Sequence, residues 1–243
     1  MTFSEVLLKN TKKKIRVLQL GSSHDLYGAE RWILALIKYL DATKIESWVA
    51  SIKDELDLKV QLCIEAEKLG FQTKQFVSYG KFNFSAVKQL SRFIIENDID
   101  ILHTHHYKTD IIGFLSTIGT TCKIVSTPHG WTHHPDLKLW AYESLDRLIF
   151  PFFDAIAPLS KNLFKSLSHI QGIKNRIHYI DNGVDVNEID DVPESADEIC
   201  SLKREGAFII GYIGRLILGK GLDILLNTVA EYGEPHWKVV IIG

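Results

Sequence analysis

No apolar run long enough to cross a bilayer as a helix, about 18 residues or more, occurs in the 243-residue sequence. A chain built on membrane-spanning helices is thereby excluded. Cysteine is scarce: Cys63, Cys122 and Cys200 are odd in number and far apart. They offer no disulfide framework and fit a reducing compartment. A basic excess is missing too, since the formal net charge is −2, which argues against a nucleic-acid partner. The N-terminal segment Met1–Lys14 is polar and ends in a lysine run, without the apolar stretch of a secretory signal. Neither a G-x-G-x-x-G dinucleotide fingerprint nor a P-loop is present, and no internal repeat or low-complexity segment interrupts the chain. A cytoplasmic protein is expected.

What the sequence does have is alternation. Hydrophobic residues make up 46% of the chain, enough for a substantial core. Strand-like runs occur at Ile15–Leu20, Trp48–Ile52, Phe71–Val77, Ile99–His103, Lys123–Thr127, Ala155–Leu159 and Ile177–Ile180. Helical patterns separate them, at Gly28–Leu40, Leu58–Leu69, Ser85–Glu96, Thr109–Thr117, Asp136–Phe150 and Lys161–Ser168. Strands spaced by helices imply βαβ units, hence an α/β fold with a doubly wound parallel sheet, here of seven strands.

The acidic stretch Asp185–Glu198 lacks a strong apolar period and suits an exposed connection. The expected organisation is a first Rossmann-like domain over 1–184, a connection over 185–205, and the start of a second over 206–243. The last strand-like run, Trp237–Ile242, is followed only by Gly243, so the second domain is expected to be incomplete.

The chemistry is expected at the carboxyl ends of the strands, where doubly wound sheets bind ligands. Phe208–Ile213 runs into Gly214-Arg215-Leu216-Ile217-Leu218-Gly219-Lys220-Gly221 and then an amphipathic segment. A glycine turn at a helix N-terminus presents backbone N–H groups to an anion, and Arg215 and Lys220 add two cations suited to phosphate. The bland alternative is a βα turn with solvated basic residues.

Gly21 and Gly28 bracket the loop after the first strand, and Gly28 opens a helix that can also meet an anion. His103-Thr104-His105-His106 and Thr127-Pro128-His129-Gly130 follow two further strands. His103, His105, His129, His133 and His134 invite a zinc reading, but no carboxylate or cysteine completes a ligand spacing. A neutral imidazole can instead hydrogen-bond an alcohol or sugar hydroxyl, the bland alternative for each being a hydrogen-bonded loop histidine. Gly130 lets the His129 loop bend toward a ligand. Leu137–Leu159 mixes aromatics with Lys138 and Arg147. It reads as a core helix followed by a strand, the alternative being a helix resting on a membrane surface.

Tyr27-Gly28-Ala29-Glu30-Arg31, Asp100-Ile101-Leu102-His103-Thr104-His105, Pro128-His129-Gly130, Asn182-Gly183-Val184-Asp185 and Gly214-Arg215-Leu216 with Lys220-Gly221 follow one another in this order. The sequence in this respect resembles the retaining GT-B glycosyltransferases of family 4. The resemblance implies two Rossmann-like domains and transfer of a sugar from a nucleotide-diphosphate donor to a saccharide or lipid-linked acceptor, in cell-envelope glycan biosynthesis. Peripheral contact with the inner face of the membrane is part of that expectation.

Catalytic roles would fall to His129, Arg215 and Lys220. Gly28, Gly214, Arg215 and Lys220 would bind the donor, and Arg31, His103 and His105 would lie on the acceptor side. No metal or other cofactor is expected. Departure of the nucleoside diphosphate builds charge on phosphate oxygens, which preorganised cations stabilise more in the transition state than in the ground state. A spaced pair of glutamates that family members carry in the second domain has no counterpart before Gly243. A non-catalytic binding module and a GT-B nucleotide-sugar epimerase are the other classes left open.

Overall fold

The structure is a computed structural model that describes residues 13–54, 60–78, 84–130, 137–187, 197–214, 216–217 and 219–243. Two compact units result, Met1–Asp185 and Val186–Gly243. In the first, strands β1 (Ile15–Gly21), β2 (Ile45–Lys53), β3 (Gln72–Val77), β4 (Ile101–Thr104), β5 (Lys123–Ser126) and β6 (Ala155–Ile156) alternate with helices. These are α1 (Gly28–Tyr39), α2 (Gln61–Lys68), α3 (Phe84–Glu96), α4 (Tyr107–Thr117), α5 (Leu137–Ile149) and α6 (Lys161–Leu167), with a 3₁₀ turn at Phe150–Phe152. The strands form one parallel sheet in the order β3-β2-β1-β4-β5-β6.

Among the described residues this sheet has six strands rather than the expected seven. Ile177 forms only an isolated parallel bridge to Ile156. Around it Ile156 N donates to Arg176 O, His178 N to Ile156 O and Ile180 N to Pro158 O. The missing rung is the one that Pro158 would donate, and proline has no N–H. The ladder therefore stops after one bridge.

Both sheet faces are covered, as a parallel sheet requires. Ile33 and Ile37 of α1 and Leu62, Cys63 and Ala66 of α2 pack with Val49 and Val60 on one side. Leu18, Leu20, Ile52, Leu102 and Ile124 form the larger core with Leu90 and Ile94 of α3, Ile112 of α4, and Phe150 and Phe153. Fully burying one such side chain contributes about 1.5–3 kcal/mol. Gly113 lets α4 close onto β4: a Cβ there would lie 2.8 Å from Thr104 Cγ2 and 3.0 Å from Leu102 Cδ2.

α5 fits the reading as a core helix only in part, since Ile149 alone of its apolar residues is buried, in the larger core. It buries Glu143 and Asp146 and exposes Leu137, Trp140, Leu145 and Leu148. The unit ends on a fixed residue: the buried Asp185 accepts from Tyr39 Oη at 2.6 Å and pairs with Lys38 Nζ, both at the end of α1.

The second unit holds α7 (Asp197–Arg204), β7 (Phe208–Ile213), α8 (Leu222–Tyr232) and β8 (Trp237–Ile242). β7 and β8 pair in parallel, Phe208 opposite Trp237 through Ile213 opposite Ile242. α7 lies within the stretch expected as connection, where Ile199 begins an apolar period that the acidic residues before it lack. Residues 188–196 of that stretch lie outside the described residues. Among the described residues, neither α7 nor α8 has a buried side chain.

Candidate active site

In the strand order of the first unit, the connection from β1 leads outward to β2 and that from β4 leads the opposite way to β5. The helices therefore diverge beyond the carboxyl ends of β1 and β4, leaving the crevice where such sheets bind ligands. The histidines at the ends of β4 and β5 and just beyond them meet α1 at this point.

Trp32, in the second turn of α1, is the centre of the cluster. Its indole makes edge contacts with the rings of His103 at 6.0 Å, His105 at 5.5 Å and His129 at 6.0 Å. The His103 and His105 rings are 4.4 Å apart, and His129 lies 6.0 Å from His105 and 5.6 Å from His106.

Each ring is held by a neighbour. His103 Nε2 shares a hydrogen bond with Thr127 Oγ1 at 2.8 Å, and His105 Nε2 one with Gln19 Oε1 at 3.0 Å. Gln19 alternates with Leu18 and Leu20 along β1, so it points to the side of the sheet opposite their core. Thr109 Oγ1 accepts from the backbone N–H groups of His105 and His106, fixing the turn into α4. Gly130 has φ of +112°, a conformation that favours glycine, and it bends the chain directly after His129.

Burial sets the charge state. It depresses the His103 pKa to about 3, with repulsion from His129 adding to the effect. It depresses His129 to about 4, with His106 lowering it further and Glu30 opposing. His105 is held well below its ordinary value, again by burial first and then by the other histidines. At neutral pH these three rings are uncharged, so each can donate from one nitrogen and accept at the other.

The carboxylates around the cluster were not legible as site residues in the sequence. Glu30, in the first turn of α1, is fully buried, with Oε1 3.7 Å from His106 Nε2. Burial raises its pKa, but His106, Ser23 and its own backbone N–H outweigh that and hold it below the ordinary carboxylate range. Asp110 Oδ1 accepts the Thr104 hydroxyl. Burial pushes Asp110 up to about 6, against the lowering influence of Thr104, Ser126, Asp146 and His106. A polar cavity of about 90 Å³ is lined by His105, His106, Asp110, His129, Glu143 and Asp146, among others.

One signal pointed to Glu30: it precedes the buried Ile33 and Ile37 on one helical stripe, where an aliphatic residue would ordinarily stand. Trp32 gave no such signal, because it lies beside that stripe and its partners are distant in sequence.

The remaining expected site residues are distributed as follows. Gly28 opens α1 and is exposed, as is Arg31. Tyr27, the residue before the helix, makes no side-chain cap, which leaves the first turn open to an anion. Gly214 and Lys220 belong to the second unit, where Lys220 is exposed and Gly221 caps α8. Arg215 lies outside the described residues, as do His133 and His134 of the zinc reading. Among the described residues, no three His, Cys, Asp or Glu side chains are grouped so as to hold a metal ion, and no helix is long and apolar enough to cross a membrane.

Comparison with known proteins bears on the same segments. The family model described as Glycosyltransferase Family 4 matches residues 27–188. No curated protein sequence matches the chain. Among solved structures, Anabaena Alr3699/HepE in complex with UDP-glucose is similar with a TM-score of 0.73 at 16% identity, over 93% of this chain and 60% of that one. A glycosyltransferase from Rickettsia africae ESF-5 gives 0.64 at 18% identity, over 96% and 69%. A putative UDP-N-acetylglucosamine 2-epimerase from Listeria monocytogenes gives 0.63 at 16%, over 95% and 63%. The chain thus spans about 60% of the length of the HepE structure. These likenesses show the fold, a GT-B-type Rossmann-like architecture.

Proposed function

The chain belongs to glycosyltransferase family 4, and from that premise we propose that it works in the transfer of a sugar from a nucleotide-diphosphate donor to a saccharide or lipid-linked acceptor in cell-envelope glycan assembly. The observation that carries the reading is the set of neutral histidines around Trp32 at the carboxyl ends of β1 and β4. Sugars offer hydroxyls that both donate and accept, and uncharged imidazoles beside an indole complement them without attracting a competing anion.

In this reading His129 hydrogen-bonds a hydroxyl of the transferred sugar. The open first turn of α1 at Gly28 approaches the donor phosphates. Arg215 and Lys220, with the backbone at Gly214, hold the diphosphate and stabilise the charge that develops as the glycosidic bond breaks. Arg31, His103 and His105 serve the acceptor side, His103 and His105 mainly by fixing the wall against which it rests. No metal is assigned a role.

A second reading follows from the likeness to the Listeria 2-epimerase, in which the donor is turned over with inversion at a ring carbon and no acceptor. One experiment separates the two. The protein is incubated with UDP-glucose, UDP-N-acetylglucosamine and other nucleotide sugars, and the products are followed by proton NMR. Release or transfer of the sugar with its anomeric configuration retained supports the transferase. A new C2 epimer of the intact nucleotide sugar supports the epimerase. No change in any donor counts against both.

A further inference from the structure

We infer that the acidic cavity at His129 is a specificity filter for the transferred sugar, which admits a neutral or cationic substituent that donates hydrogen bonds and excludes a carboxylate. The inference rests on the transferase reading above and adds to it the class of sugar that is selected.

Three parts of the first unit build the cavity. Asp110 stands in the first turn of α4, and Glu143 and Asp146 lie three residues apart on one side of α5. Pro128, His129 and Gly130 close it. The three acids are buried, Asp110 at 0% exposure, Glu143 at 5% and Asp146 at 2%, although carboxylates seldom go inside unless paired. Among the described residues, no lysine or arginine lines the cavity. His106 lines it, but its Nε2 faces another acid, Glu30, at 3.7 Å. Asp185 gives the contrast, since that buried acid is met by Lys38 and Tyr39. The wall of the cavity is therefore acidic.

Its open hydrogen-bonding positions are acceptors. His105 Nε2 is bonded to Gln19 Oε1, an oxygen that only accepts, so the proton of the neutral ring sits on Nε2 and Nδ1 carries the lone pair. Asp110 Oδ1 is occupied by the Thr104 hydroxyl. Among the described residues, His105 Nδ1 and Asp110 Oδ2 are buried without a hydrogen-bond partner. Buried acceptors left unpaired cost stability, so both call for an incoming donor group. The cavity holds about 90 Å³ against roughly 30 Å³ for one water, which is room for a hydroxymethyl or aminomethyl group. The exocyclic C6 group is the part of a hexose that projects far enough from the ring to enter such a space.

Size does not separate a hydroxymethyl group from a carboxylate, but chemistry does. A C6 hydroxyl can donate to Nδ1 or Oδ2, and an ammonium group also brings the opposite charge. A carboxylate brings acceptors to acceptors and a negative charge to three acids, with no cation lining the space to offset it. Selection of this kind works by a repulsive element set against the wrong substrate.

The test compares UDP-glucose with UDP-glucuronate, which differ only at C6, by heat of binding to the full chain, with UDP as reference. The variants are Asp110→Asn and Glu143→Gln, isosteric changes on two different helices, and urea unfolding checks that each keeps its fold. UDP-glucuronate is expected to bind at least about tenfold more weakly than UDP-glucose. Each variant should narrow that gap at least about threefold while UDP affinity is unchanged. Equal affinity for the two sugars would overturn the inference and leave the transferase reading standing. A gap that both folded variants retain in full would overturn the assignment of selectivity to this cavity. Failure of every nucleotide sugar to bind more tightly than UDP would overturn the inference and the reading together.

Discussion

Acidification from pH 7 to pH 5 should destabilise the first unit, and the histidine cluster sets by how much. Histidine in an unfolded chain titrates near 6.5, whereas His103 and His129 are depressed to about 3 and about 4 in the fold. At pH 5 the unfolded chain binds protons that the folded protein refuses, so stability falls as pH drops below 6.5. His103, which is half-buried, then contributes a loss of about 2 kcal/mol, whereas His129 is exposed and solvent screening reduces its share. Asp110 acts in the opposite direction. Its pKa is raised to about 6, so protonation between pH 7 and pH 5 relieves a buried charge and returns about 1–1.5 kcal/mol. His103 and His129 feel each other, so their losses are not additive. His103 and Asp110 together give a net loss of about 0.5–1 kcal/mol, which His105 and, after screening, His129 enlarge in the same direction. Urea unfolding followed by tryptophan fluorescence at pH 7, 6 and 5 measures it, and His103→Gln should remove a substantial part of the pH dependence. An unfolding midpoint at pH 5 equal to or above that at pH 7 would refute the assignment of neutral histidines.

Three further outcomes are expected. Gly113→Val should lower stability by about 1–3 kcal/mol, because the new Cβ would stand 2.8 Å from Thr104; a thermal melt within a degree of the parent contradicts this. Asp185→Ala should cost about 1.5–3 kcal/mol by leaving Lys38 and Tyr39 without their buried acceptor, measured by urea unfolding against Asp181→Ala as the exposed control. Hydrogen exchange should be faster in β7 and β8 than in β1 and β4, since no side chain of the second unit is fully buried among the described residues; equal protection of the two sheets would contradict it.

Periodicity made the sheet legible. Short strand-like runs such as Ile15–Leu20 and Lys123–Thr127 are separated by helical patterns, the order that marks βαβ units, and the glycine after Leu69 marks the end of α2. The seventh strand failed for a local reason, the absent N–H of Pro158 in the neighbouring segment. The reading of helix α5 failed in part, for a different reason. Leu137, Trp140, Leu145 and Leu148 give a clear apolar stripe, but periodicity says that a stripe exists and not which way it faces. Only the placement of Glu143 and Asp146 beneath the histidines shows that the acidic side is the inner one. The histidines themselves were conspicuous by composition and by position after strands. The residue that gathers them, Trp32, and the buried Glu30 and Asp110 were not, because their significance rests on partners brought in from other strands.

The central claim is that the histidine and tryptophan cluster recognises the sugar of a nucleotide-sugar donor. It is tested most directly by titrating UDP and UDP-glucose into the protein and into His129→Ala and Trp32→Ala, with heat of binding as the readout. The account expects UDP-glucose to bind more tightly than UDP, and each substitution to erase most of that difference, about 1 kcal/mol or more per lost hydrogen bond, while UDP affinity stays the same. A sugar-dependent gain that survives both substitutions, or the absence of any gain with UDP-glucose and the other nucleotide sugars, would contradict it.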